Sequence, residues 1–323
     1  MPSRYSPPQS RLSTTTVASE ELQSFADAIA QIKAIAFEIF EHEIAEKQLC
    51  YHTHEHITGV QRRASQIFRV IRPYLEATED SDRLELLLDL GAVAHDMMQI
   101  FVPQREPHTP RRREAGVSEI ATIEKLLELI HALNQHHSNQ SAQFLDSDLQ
   151  IIRDAIAATI CDYDPLEQAI FQPALYQRQP ISIVARVLAL ADIGALGMEG
   201  IEAYNTEGSL LFLEENLDVR SLIAQNKLAS YLENHAAVQE NVRQRLLKRA
   251  RFQVSFAKSR LKRLPQELER LPLEANSVLL QQVFQYLTPA TIKEIESSTP
   301  ISEETSLEAL INFFRLNQFI SEI

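Results

Sequence analysis

Three histidines lie within five residues in the segment His52-Thr53-His54-Glu55-His56. Rings at this density are hard to explain by packing, and imidazole is the most common metal ligand in proteins. Two other polar breaks interrupt apolar runs, the pair His95-Asp96 and the single acid Asp192. A buried carboxylate without a partner is costly, and one shared cation would neutralise both acids. The sequence therefore predicts a metal site.

The three clustered histidines are not equivalent. His52 and His56 are four residues apart, so on a helix they would project from one face, one turn apart, whereas His54 would point away and we expect no role for it. The zinc-protease pattern of His-Glu followed by a second histidine fails here, because Thr58 occupies the position that this histidine would need.

The order of these residues resembles the HD-domain metal-dependent phosphohydrolases, in which a His, a His-Asp pair and a distant Asp lie on helices of one bundle. Tyr51-His52-Thr53-His54-Glu55-His56 is similar to the Tyr-His-x-x-x-His helix start of cyclic-nucleotide phosphodiesterases. The resemblance covers about residues 51–197, and only the ligand motifs are specific. The cyclic-dinucleotide hydrolases have Ile-Gly-Lys after their His-Asp pair. Met97-Met98-Gln99 stands here instead and disfavours that substrate class.

The resemblance implies a division of roles. A divalent ion would be bound by four residues, which are His56, His95, Asp96 and Asp192. His52 would protonate the leaving oxygen, and a metal-activated water would be the nucleophile. A second ion stays open, because the predicted helix from Leu149 to Cys161 contains no histidine. The ligand set does not distinguish Mn²⁺, Mg²⁺, Fe²⁺, Ni²⁺ and Zn²⁺.

Further residues are candidates for contact with a substrate or with its water. Glu114 begins a predicted helix, where it either orients a catalytic water or is an ordinary first-turn acid. Arg63 lies two turns after His56 and either contacts a phosphate or forms a salt bridge. The loop from Phe101 to Arg113 is rich in proline and arginine. Of its arginines, which are Arg105, Arg111, Arg112 and Arg113, we select Arg111 as the phosphate ligand.

Composition and periodicity predict an all-α protein. Only 7 of the 323 residues are glycine and 45% are hydrophobic. Apolar residues recur at three- and four-residue steps over residues 20–47, 51–76 and 114–134. We expect Asp82 to cap the helix that leads to His95. Beyond the long charged run of residues 214–262, we expect four prolines to separate short helices: Pro265, Pro272, Pro289 and Pro300.

We divide the chain into a disordered lead-in at residues 1–19, an HD-type helical bundle at residues 20–200 and a helical C-terminal extension at residues 201–323. The extension could form a homo-oligomer surface. Its basic stretch at residues 243–263 is either a solvated face balanced by acids elsewhere or a helix that faces phosphate.

The expected partner is a small phosphorylated, nucleotide-like substrate. A net charge of −13 disfavours nucleic acid, and no apolar run reaches the ~18 residues of a membrane span. With only two cysteines, Cys50 and Cys161, a reducing, cytoplasmic location is expected. We therefore predict a metal-dependent phosphoric ester hydrolase. The alternative is a catalytically silent binding or signalling module with a structural metal.

Overall fold

The computed structural model describes residues 22–77, 79–177, 181–225 and 227–321. In this part of the chain, helices are connected by short loops, and the one sheet described has two short strands. The prediction of an all-α protein is confirmed. The lead-in predicted at residues 1–19 lies outside the described residues. No helix among the described residues is long and apolar enough to cross a membrane.

The helices of the first part are α1 Phe25–Lys47, α2 His54–Ile71, α3 Ser81–Ala94, α4 Val117–His136, α5 Asp146–Ala158 and α6 Ile183–Asp192. Between α5 and α6 lies an antiparallel hairpin, β1 Asp162–Asp164 with β2 Ala169–Phe171. The later helices are α7 Ala195–Glu199, α8 Ile201–Glu215, α9 Leu217–Ala224, α10 Leu228–Glu233, α11 Ala236–Leu268, α12 Leu273–Val278, α13 Pro289–Ser298 and α14 Leu307–Phe313.

Helix α6 is the centre of the bundle. The Ser182 side chain accepts a hydrogen bond from the Ala185 amide at 3.1 Å and so caps its first turn. Every residue from Val184 to Ala191 is buried, and all of them except Arg186 are apolar, so the apolar residues are not confined to one face. Helices α2, α3 and α5 pack around it. Asp192, the last residue of α6, is thus positioned by a helix that is fixed on several sides.

Glycine at position 91 lets α3 come close to α6. A Cβ atom on Gly91 would lie 3.3 Å from Cδ2 of Leu188, tighter than most such contacts. Because α3 ends just before His95 and α6 ends at Asp192, this close packing brings the two polar ends together.

One hydrophobic core joins the two halves of the chain. It contains residues of α2, α3, α5 and α6 together with Val254, Ala257 and Leu264 of α11 and Ile295 of α13. The predicted boundary near residue 200 stays a prediction, but the C-terminal region packs directly on the bundle. Whether this region also pairs with a second copy stays a prediction too.

Four local predictions are wrong. Glu114 does not begin a helix and is not a first-turn acid, because α4 begins at Val117 with Gly116 as its N-cap. Helix α2 begins at His54, with Thr53 as its N-cap, so His52 lies in the preceding loop and not on the first turn. Asp80 rather than Asp82 caps α3, since its side chain accepts from the Arg83 amide at 3.1 Å. Pro265 does not separate helices but lies inside α11, near its C-terminal end. The packing of α11 on the bundle outweighs the local preference of proline.

A leucine at the centre of the bundle should be far more important for stability than one at its surface. Leu188 is fully buried, whereas Leu166 in the hairpin turn is 94% exposed. Leu188→Ala should lower the free energy of unfolding by about 2–5 kcal/mol, because a cavity remains beside α3. Leu166→Ala should change it by less than about 0.5 kcal/mol. Urea unfolding followed by circular dichroism measures both, and equal effects would contradict this placement of α6.

Candidate metal centre

The four residues predicted as metal ligands come together at the end of the bundle. His56 lies on the first turn of α2, His95 and Asp96 follow α3, and Asp192 ends α6. Each offers one ligand atom, and these atoms lie within 4.8 Å of one another. His56, His95 and Asp96 are buried, and Asp192 is partly buried. Residues that are as much as 136 positions apart therefore form one cluster that could hold a metal ion.

Distances in this cluster match a metal coordination sphere. The Oδ2 atom of Asp96 lies 3.0 Å from Nε2 of His95 and 3.2 Å from Nε2 of His56. The two Nε2 atoms are 3.4 Å apart, and Oδ1 of Asp192 lies 3.6 and 3.7 Å from them. Ligand atoms at about 2.0–2.2 Å from a shared ion would lie about 3.0–3.6 Å from one another. The observed spacing therefore leaves room for one ion at their centre.

The ring orientations suit metal binding as well. Nδ1 of His95 lies 3.0 Å from the Ala92 carbonyl, to which a protonated Nδ1 would donate, so Nε2 is the nitrogen that keeps a lone pair for an ion. Nδ1 of His56 is buried and has no hydrogen-bond partner among the described residues, so nothing there opposes the same tautomer. Both imidazoles present Nε2 to the two carboxylates.

Burial and neighbouring charges shift the pKa values of the clustered residues. Burial lowers the pKa of His56 to about 4, although Asp96 opposes this, so the ring is neutral at neutral pH. Burial would raise the pKa of Asp96, but the charges of His95 and His52 hold it well below its ordinary value. Burial by itself would lower the pKa of His95. The nearby carboxylates of Asp96 and Asp192 raise this pKa well above the usual value. A bound cation would have to displace a proton from His95.

His52 lies beside the cluster but faces a different partner. Its Nδ1 is 2.5 Å from Oε1 of Glu214, and its Nε2 is 3.7 Å from Oδ2 of Asp96. The other carboxylate oxygen of Glu214 accepts the backbone amides of Cys50, Tyr51 and His52 at 3.0–3.1 Å. These three bonds hold the chain in a loop just before α2, which is why His52 is not helical. Sequence reasoning missed Glu214, which lies 162 positions away.

His54 points away from the cluster, as its spacing predicts. Its side chain is 44% exposed and lies 3.5 Å from Glu41 on α1, against the ring of Phe37.

Arg63, predicted to contact phosphate, is buried with its donors occupied. It is 1% exposed and donates from Nε to the Ala191 carbonyl at 2.7 Å. Its Nη1 lies 3.2 Å from a carboxylate oxygen of Glu199 and 3.2 Å from one of Glu207. These contacts favour the salt-bridge alternative, in which Arg63 fixes the end of α6 and thereby Asp192.

Arg111, the other predicted phosphate ligand, is also engaged. It donates to the backbone carbonyls of Glu214 and Lys47 at 2.6 Å each, and its guanidinium lies 3.8 Å from the centre of the Phe101 ring. These carbonyls lie at the ends of α8 and α1, where helices leave such groups unpaired. The adjacent Arg112 and Arg113, by contrast, line the cavity above the cluster.

Two glutamates lie on the cavity wall. Glu114, the predicted water-orienting residue, is exposed, and no described residue makes a hydrogen bond to its carboxylate. Glu119, on the first turn of α4, is half-buried, and burial together with the charge of Asp96 raises its pKa. The role of Glu114 stays a prediction, and Glu119 is a second candidate that periodicity alone could not single out.

A cavity of about 620 Å³ opens above the cluster. Its polar floor includes His52, Asp96 and Asp192. Cations line part of its wall, namely Arg112 and Arg113 of the loop and Arg245, Lys248 and Arg249 of α11. Aromatic side chains line another part, namely Tyr163 of β1 and Phe252 and Phe256 of α11. A shallower depression of about 350 Å³, at residues 104–108 and Asp218, contains none of the predicted ligands.

Comparison of the chain with protein-family models, with curated proteins and with solved structures gave no significant match. The helical fold and the cluster of two histidines and two aspartates are consistent with the HD-type pattern. Of these two observations, only the cluster is specific to that pattern.

Removing one ligand should abolish tight metal binding, whereas removing its neighbour should not. His56→Ala should weaken binding of Mn²⁺ or Zn²⁺ by more than the roughly 10- to 100-fold that loss of an outer-shell partner costs. His54→Ala, two residues earlier and partly exposed, is the matched control and should keep wild-type affinity. Titration calorimetry and elemental analysis of the dialysed proteins measure both. Equal loss in the two variants would contradict the ligand assignment.

Glu214 should make folding stability depend on acidic pH. Burial would raise its pKa, but the charge of His52, the hydrogen bond from that ring and the charge of Arg113 lower it to about 2. A carboxylate whose pKa falls on folding stabilises the protein above its unfolded pKa, and the effect is lost as the pH falls towards its folded pKa. Glu214→Gln should therefore cost on the order of 3 kcal/mol at pH 7, and the difference should shrink below about pH 4.5.

Denaturant unfolding of wild type and Glu214→Gln between pH 7 and pH 3 measures this difference. Glu215→Gln is the control, because it removes the same charge one residue later, where no described residue makes a hydrogen bond to the carboxylate. A constant difference across this pH range would show that Glu214 is not held as a carboxylate.

Proposed function

We propose that this protein is a metal-dependent phosphohydrolase that cleaves a phosphate ester of a small, nucleotide-like substrate. The observation that carries the proposal is the joint placement of the four-residue cluster and His52. The Nε2 atom of His52 lies 3.7 Å from the Asp96 oxygen that also faces both histidines of the cluster. A proton carrier and a cation site thus meet at the floor of one cavity.

His52 is oriented for proton transfer at Nε2. When Nδ1 carries the proton and donates it to Glu214, the unprotonated Nε2 faces the cluster. When Nε2 also takes a proton, the Glu214 carboxylate stabilises the resulting imidazolium, because it lies 2.5 Å from Nδ1. This ring can then give a proton to the leaving oxygen of an ester bound at the cluster. Glu214 is the positioning residue for that step.

The four ligands would hold a divalent cation, which when bound supplies Lewis acidity to the phosphate and to water. The mixed set of imidazoles and carboxylates accepts several metals. Arg63 keeps the Asp192 end of α6 in place through the Ala191 carbonyl. The side chains around the cavity exclude bulk water and orient the substrate.

Cavity size and lining support a small substrate. A volume of about 620 Å³ falls within the roughly 300–1,000 Å³ typical of small-molecule sites. Phe252, Phe256 and Tyr163 offer aromatic faces for a base, and the cations of the loop and of α11 suit phosphate oxygens. With a net charge of −13, the chain as a whole would repel a polynucleotide.

Replacing His52 should separate catalysis from metal binding. With Mn²⁺, Mg²⁺, Ni²⁺, Fe²⁺ or Zn²⁺ supplied, the wild-type protein should hydrolyse at least one member of a panel of phosphomonoesters, phosphodiesters and nucleotides. His52→Ala should lower kcat roughly 10²- to 10⁴-fold, since a general acid is removed. Its metal content should equal that of wild type, because His52 is not a ligand.

Two outcomes would count against the hydrolase. No turnover with any metal would leave the binding or signalling module as the better account. Turnover that is unchanged in His52→Ala would show that the metal acts without this histidine. In both cases unfolding of Asp192→Ala, compared with wild type, reports whether the metal is structural.

A further inference from the structure

The arginine-rich loop between α3 and α4 is fixed at one point. Besides its side-chain bonds, Arg111 donates its backbone amide to the Glu215 carbonyl at 2.8 Å. A single bridge pairs Val102 with Arg112 across the base of the loop. Arg111 therefore faces the protein, and the residues that follow it are presented to the cavity.

Arg113 extends its guanidinium to the floor of this cavity. Its Nη1 donates to Oε1 of Gln99 at 2.7 Å and to Nε2 of His52 at 3.0 Å. The Gln99 acceptor is a neutral amide oxygen, and the His52 acceptor is an imidazole nitrogen. None of the carboxylates of the described residues lies within ion-pairing distance of Arg113, whereas Arg63 has two such partners.

Gln99 links Arg113 to the metal cluster. It is fully buried, and its amide nitrogen donates to both the carbonyl and the Oδ1 atom of Asp96 at 3.1–3.2 Å. The Oε1 atom of the same side-chain amide accepts a hydrogen bond from Arg113. The guanidinium is therefore held one side chain away from Asp96, and both residues line the same cavity.

We propose that Arg113 binds the non-bridging oxygens of the substrate phosphate and, in doing so, leaves His52. This inference rests on the proposed function, and it names the residue that recognises the phosphate. Hydrogen bonds from an arginine to a charged phosphate are about twice as strong as bonds to neutral acceptors. A phosphate at the cluster therefore competes well for a guanidinium that has only an amide and an imidazole as acceptors.

Direct binding of inorganic phosphate to the Zn²⁺-loaded protein tests the first part without requiring turnover. Arg113→Met should bind phosphate about 10- to 100-fold more weakly than wild type by calorimetry. Arg105→Met removes the same charge from the same loop but lies at the shallow depression, so it should bind normally. The affinity of Arg113→Lys for phosphate should lie between those of wild type and Arg113→Met, because lysine keeps the charge but lacks the planar guanidinium that can donate two parallel hydrogen bonds. Equal binding by Arg113→Met and Arg105→Met would overturn the proposal.

Kinetics separate recognition from a merely structural role. With a substrate that the wild type hydrolyses, Arg113→Met should raise KM about 10- to 100-fold, and added guanidinium ion should restore part of kcat/KM. Metal content should not change. A loss that guanidinium does not restore, together with reduced metal content, would show that Arg113 only supports Asp96.

Loss of the hydrogen bond between Arg113 and His52 on phosphate binding can be measured separately. In ¹⁵N-labelled, Zn²⁺-loaded protein, the Nε2 resonance of His52, assigned with His52→Asn, should shift when phosphate is added. In Arg113→Met it should already differ from wild type before addition. An unchanged resonance in wild type at saturating phosphate would overturn this loss. If phosphate binding depends on Arg113 but no ester is hydrolysed, the hydrolase proposal fails and the phosphate site stands.

Discussion

The structure depends on the placement of two carboxylates, Asp96 and Asp192, at the polar end of an otherwise apolar bundle. Each follows a helix whose last turns are buried, and the Leu188 contact at Gly91 brings those helices together. Two acids at such a site would repel each other strongly without compensation. Two imidazoles face them at 3.0–3.7 Å, and a cation at the centre would complete the compensation. The packing that joins α3 and α6 therefore also forms the candidate metal site.

A second constraint ties the site to the later part of the chain. Glu214 ends α8, outside the segment that resembles the HD pattern, yet it holds both the backbone and the ring of His52. The Glu214 and Glu215 carbonyls also anchor Arg111 and with it the loop that carries Arg113. His52 and the loop are thus positioned by the same turn of α8. The region predicted as an extension is part of the site.

The sequence could predict the cluster because His95-Asp96 and Asp192 are polar breaks in apolar runs and His56 belongs to a dense group of histidines. The helices followed from the period of such runs. The sequence could not show which arginine would be free to contact a phosphate. Arg63, Arg111 and Arg113 are equivalent in type, and only the fold decides which one meets carboxylates, backbone carbonyls or neutral groups. The same holds for His52, whose loop conformation depends on hydrogen bonds to Glu214. Long-range polar contacts leave no periodic signal.

Acids of neighbouring elements balance part of the basic stretch at residues 243–263, while its role as a helix that faces phosphate stays a prediction. Several of its cations fix the cavity wall: Arg263 binds Asp164 and Glu167 of the hairpin, and Arg245 binds Asp218 of α9. Lys248, on the cavity side of α11, has no such partner among the described residues. These contacts hold the hairpin and α9 against α11. The segment that resembles the HD pattern therefore contains the candidate metal cluster and His52, while α8 and α11 beyond it form a large part of the cavity wall.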